Sequence, residues 1–104
     1  MQTGDTLYGY VYVDPANPPS ALMLQWNAGG SWEHRAYWGE SLFTWGIDGT
    51  DSRRYMGSLP ATSQWVRLEV PASAVGLEGA AVSGMAFSLF DGRATWDAAG
   101  RVPQ

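Results

Sequence analysis

Apolar residues along this chain recur with a period of two, which limits it to strands before any motif is considered. From Thr6 to Val13 the run T-L-Y-G-Y-V-Y-V places Leu7, Gly9, Val11 and Val13 on one side and Tyr8, Tyr10 and Tyr12 on the other. Successive strand side chains point to opposite faces, so this alternation predicts a half-buried strand and not a helix. The pattern returns at 21–27 (A-L-M-L-Q-W-N), with Leu22, Leu24 and Trp26 inward and Met23, Gln25 and Asn27 outward. It returns again at 31–38, 64–70, 81–90 and 94–98, with a short edge strand at 53–59. Turn chemistry separates the runs: D-P-A-N-P-P-S at 14–20, A-G-G at 28–30, D-G-T-D at 48–51 and D-G at 91–92. The one helical candidate is 71–76, with proline at its start and glycine at its end.

This spacing predicts an all-β antiparallel sandwich, jelly-roll-like, of about six to eight strands with at most one short helix. Val66, Leu68, Met85, Phe87 and Leu89 fall on inward positions of the later strands and are the predicted core there. In the third strand the inward set is Trp32, His34, Ala36 and Trp38, because turning Glu33 and Arg35 inward would require a partner for each buried charge. At 104 residues the chain is read as a single module, 1–104, with a core of its own. Met1 reads as a start added to a module excised from a larger multi-domain protein.

The charge pattern narrows the partners. The formal net charge is −4, and all six basic residues are arginines. Phosphate-backbone binding needs clustered positive charge, so nucleic acid and anionic membrane surfaces are not expected partners. With one histidine and no cysteine there is no transition-metal cluster to assemble. No G-x-S-x-G elbow, phosphate loop or facing carboxylate pair is present, and the chain is read as non-catalytic.

What stands out is S-W-E-H-R-A-Y-W-G-E-S-L-F-T-W-G at 31–46, which holds three of the six tryptophans beside mixed hydrogen-bonding groups. Flat rings with polar side chains between them suit a surface that stacks on sugar rings and bonds their hydroxyls. The candidate carbohydrate-binding residues are Trp32, Glu33, His34, Arg35, Tyr37 and Trp45, with Arg53 and Tyr55 as a second wall. Trp45 and Tyr37 are the rings expected to be exposed; burial is the commoner state for the other tryptophans.

Three segments, G-D-T-L-Y-G-Y-V-Y-V-D-P-A-N-P-P at 4–19, W-E-H-R-A-Y-W-G at 32–39 and W-V-R-L-E-V-P-A with V-G-L-E-G at 65–79, together resemble a family of bacterial non-catalytic β-sandwich modules. The order W-V-R-L-E-V, short helix, V-S-G-M-A-F, turn, A-T-W-D is similar to the second half of galactose-binding-like jelly rolls, many of which are carbohydrate-binding modules. The resemblance implies a secreted or cell-surface protein with appended catalytic or cell-surface domains; taken with the aromatic stretch at 31–46, the expected ligand is a plant-type β-glucan polysaccharide. In the resembling jelly rolls a structural calcium often sits beside the first strand. On that resemblance Asp97 with Asp5, or alternatively Asp14, are the candidate ligands, and no other cofactor is implied. The alternative function is a structural or protein-interaction β-module of a cell-surface protein.

Overall fold

A computed structural model describes residues 2–102, so the reading of Met1 lies outside the described residues. The strands are β1 (Thr6–Val13), β2 (Ala21–Ala28), β3 (Ser31–Gly39), β4 (Arg54–Gly57), β5 (Trp65–Pro71), β6 (Val82–Phe90) and β7 (Ala94–Val102), with a 3-10 turn at Ala72–Val75. They form a three-stranded sheet in the order β5-β1-β7 and a four-stranded sheet in the order β4-β3-β2-β6. The all-β sandwich follows from the period-two runs, each of which is a strand.

Between the sheets, Leu7, Val11 and Val13 of β1 meet Leu22, Leu24 and Trp26 of β2, Ala36 and Trp38 of β3, and Leu68 and Val70 of β5. The 3-10 turn closes one end with Ala72 and Val75, followed by Leu77. Burying each of the larger aliphatic side chains contributes about 1.5–3 kcal/mol.

Three features depart from the expected pattern. First, β4 pairs with β3 in parallel, Ala36 opposite Arg54 and Tyr37 opposite Tyr55. Parallel neighbours cannot be joined by a tight hairpin. Residues 40–53 therefore cross the outer face of the four-stranded sheet, and the apolar run inside that loop covers it. Phe43 is buried there with Ala21, Met23 and Tyr37 as a second small core. That cover explains why β2 is buried continuously from Ala21 to Trp26, including the outward Met23 and Gln25.

Second, β3 carries a bulge. Trp26 pairs with His34, but Ala28 pairs with Ser31, so Trp32 and Glu33 together oppose Asn27. A bulge inserts one residue and re-aims side chains. Trp32, predicted inward, is instead 40% exposed on the outer face.

Third, the sandwich gapes at its β6–β7 edge. Met85, Phe87 and Leu89 oppose Trp26, Leu24 and Leu22 in register and so do face inward. Yet Phe87 is 39% exposed and closes the edge by stacking on Trp96 with ring centroids 4.8 Å apart. Of the predicted later-strand core, Leu68 is fully buried, Val66, Met85 and Leu89 only partly so, and Phe87 lies at the rim. A cavity of about 530 Å³ lined by Leu7, Trp26, Val82 and Met85, among others, opens at this edge.

Candidate functional site

On the outer face of the four-stranded sheet, Gln25 of β2 lies directly opposite Arg35 of β3. Both are buried, Arg35 to 7% exposure. Arg35 Nε donates to Gln25 Oε1 at 2.9 Å, and Gln25 Nε2 donates to Ser88 Oγ of β6 at 3.0 Å. Arg35 Nη1 donates to Glu33 Oε2 at 2.8 Å and to the Ser52 carbonyl at 3.2 Å. Among the described residues Arg35 Nη2 and Glu33 Oε1 have no hydrogen-bond partner. The guanidinium is thus fixed on one side and free to bond on the other.

Two tryptophans flank this polar floor. Trp45, 48% exposed, rides on the crossover loop with Phe43 beneath it at 5.9 Å between centroids, and the Arg35 guanidinium carbon lies 6.0 Å from its ring centre. Gly46, at φ +77°, lets the loop turn back at this point; a Cβ there would stand 2.4 Å from the Ser52 carbonyl oxygen. Trp32 lines the same cleft as Trp45, with its ring tip by Gly84 of β6, where a Cβ would lie 3.4 Å away. Trp32, Trp45, Arg35, Gln25 and Ala86 line a cleft of about 300 Å³. That is the lower end of the range for small-molecule sites, about 300–1,000 Å³. Rings form its walls and a charge-balanced set of donors and acceptors forms its floor.

The remaining predicted site residues part company with this cleft. Tyr37, expected to be exposed, is 3% exposed because Phe43 and the loop cover it. Its hydroxyl donates to Asp48 Oδ1 at 2.7 Å, and burial followed by that donation raises its pKa. Tyr55 is exposed and packs against Tyr37 at 5.4 Å, at the far side of the loop. His34 faces the sandwich interior, with Nδ1 bonded to the Val75 carbonyl at 2.7 Å, and does not reach the cleft. Arg53 is not a wall: it donates through Nη1 to the Phe43 carbonyl and pins the loop from within.

Asp5 and Asp97 are not brought together. Asp5 is buried beside the first residue of β1, where its Oδ2 accepts from the Gln2 N–H at 2.8 Å and from Arg101 Nη1 at 3.1 Å. Asp97 is exposed and sits opposite Tyr10, well along the strand. Asp14 serves its own turn, accepting from the Ala16 N–H at 2.8 Å. Among the described residues no group of three or more histidine, cysteine or acidic side chains is placed to hold a metal.

Gln25 and Ala86 are the residues that sequence reading missed. The outward position of Gln25 in an otherwise apolar strand was the available signal. No protein-family model, curated protein or solved structure matches the chain.

Proposed function

We propose that the chain is a non-catalytic carbohydrate-binding module of a secreted or cell-surface protein, holding a neutral polysaccharide of the β-glucan type in the Trp32–Trp45 cleft. The observation that carries the reading is two half-exposed tryptophans lining one cleft with Arg35, a cation already matched by Glu33. Sugar rings present C–H faces to aromatic walls and hydroxyls to the floor. Arg35 Nη2 is the donor for such hydroxyls and Glu33 Oε1 the acceptor. The paired charges leave little net field for a charged ligand, so the preference is for a neutral one. The resemblance to bacterial jelly-roll modules supports the same reading, as does the rigid placement of the floor on adjacent strands.

Affinity electrophoresis and calorimetry against soluble β-glucans test this. Binding should change little with salt, since only charged ligands are screened over a Debye length of about 8 Å. Failure to bind any of a broad neutral polysaccharide panel would leave the module as a structural spacer.

A further inference from the structure

The opposite outer face carries a second aromatic surface of different chemistry. Tyr8, Tyr10 and Tyr12 of β1 alternate with the buried Leu7, Val11 and Val13, stand outside the core and are each half-buried. Trp65 of β5, half exposed, tilts against Tyr12 with ring centroids 5.8 Å apart. In β7, Tyr8 pairs with Gly100 but Tyr10 with Asp97, so two alanines oppose Gly9. Ala98 takes φ +40° at this bulge and donates its N–H to Asp97 Oδ1 at 2.8 Å. The side chain of Asp97 is thereby held at a cleft of about 270 Å³ shared with Tyr10, Trp65 and Ala98. Its Oδ2 has no hydrogen-bond partner among the described residues.

We propose that this cleft binds an organic ammonium group, seated on the faces of Tyr10 and Trp65 and opposed by the Asp97 carboxylate. Both wall types are electron-rich: aromatic faces carry the negative lobe of the ring quadrupole, and tryptophan is the strongest of the cation-binding rings. The carboxylate adds a full negative charge and only accepts hydrogen bonds. The Trp32–Trp45 cleft, by contrast, supplies a guanidinium donor. The face already shows this affinity internally, because the Arg67 guanidinium lies 4.3 Å from the centre of the Tyr8 ring and 6.0 Å from that of Tyr10. Arg67 is balanced by Glu69 at 3.6 Å, so Asp97 leaves the neighbourhood with net negative charge. The chain's net charge of −4 points the same way at longer range.

The test is a titration followed by two-dimensional NMR of the tryptophan indole N–H groups, using tetramethylammonium and choline chlorides against sodium chloride at matched ionic strength. The expected result is a saturable shift of the Trp65 indole with either ammonium salt, none with sodium, and no matching change at Trp45. Asp97→Asn should weaken the binding at least tenfold, and Trp65→Ala should abolish it, with Trp65→Phe in between. A trimethyl-lysine peptide compared with choline distinguishes a protein side chain from a small amine as the source of the group, and saturable binding of either supports the site. An absent shift, a shift that sodium reproduces, or full retention of binding in Asp97→Asn overturns it. So does a Trp65 response to a glucan oligomer but not to the ammonium salts, which would make this face a second sugar platform. Because readout and variants belong to Trp65 and Asp97, the result is independent of whether Trp32 and Trp45 bind glucan.

Discussion

Arg35 and Gln25 face each other across β3 and β2, and Nε of the one donates to Oε1 of the other at 2.9 Å in a buried setting. The pair links the folding of the sheet to the floor of the cleft: the same guanidinium that satisfies Gln25 also reaches Glu33 and the Ser52 carbonyl of the loop. Replacing Gln25 by leucine leaves Arg35 Nε buried without an acceptor. We expect a loss of about 1–3 kcal/mol in urea unfolding, the usual cost of stranding one buried hydrogen-bonding partner. Glucan binding should weaken in the same variant, because the guanidinium loses its anchor.

Trp45 and Tyr37 should now behave differently. Trp45→Ala removes an exposed wall and should weaken glucan binding by about 1–3 kcal/mol, on the scale of ring stacking on nucleic-acid bases, with little change in melting temperature. Tyr37→Ala empties a buried position and should cost about 3–5 kcal/mol of stability. Thermal melts alongside calorimetric titrations read both; equal melting losses in the two variants would refute the assignment of Trp45 to the surface.

Phe87 and Trp26 form a similar contrast on the inner side. Trp26 is fully buried, so Trp26→Ala should cost about 3–5 kcal/mol. Phe87→Ala, at the open edge, forfeits part of its burial and its stack on Trp96 and should cost about 1–3 kcal/mol. Denaturant midpoints of the two variants check the order.

The Asp5 carboxyl gives stability a pH dependence with a definite sign. Its pKa lies below the ordinary value, chiefly because the Gln2 N–H bonds the carboxylate and then because Arg101 does, although burial opposes the shift. A carboxylate depressed in the folded state contributes stability that is fully present above its unfolded pKa, about 3.9, and is lost as pH falls through the lower folded value. Melting temperature should therefore drop on acidification below about pH 4, and Asp5→Asn should flatten that acid limb. An acid limb of unchanged slope in Asp5→Asn would place the titration elsewhere.

The sandwich was legible because period-two alternation reports which face of a strand is covered, and Leu7, Val11, Leu22, Leu24 and Leu68 obeyed it. Trp32 and Tyr37 depart from it for one reason. Alternation assumes an unbroken register and one covered face, whereas the β3 bulge turned Trp32 outward and the 40–53 crossover buried Tyr37. Neither the bulge nor the crossover leaves a period in the sequence; only the apolar run Leu42–Trp45 inside a glycine-rich loop hinted that the loop had something to cover. Phe87 departs from the expected core for a different reason, since an inward direction does not guarantee a neighbour at the edge of a sheet. Trp45 lies exposed as the sequence predicts, whereas Arg35, expected outward for want of a charge partner, is outward but buried because Glu33, Gln25 and the Ser52 carbonyl supply its partners.

Thr6 lies opposite Val102 in the three-stranded sheet. Antiparallel partners stand about 5 Å apart at their Cα atoms. The first strand therefore begins beside the end of the last one. Gly29–Gly30 lies between β2 and β3, so a backbone break made there, with Thr6 and Val102 held together by their pairing, would interrupt no strand.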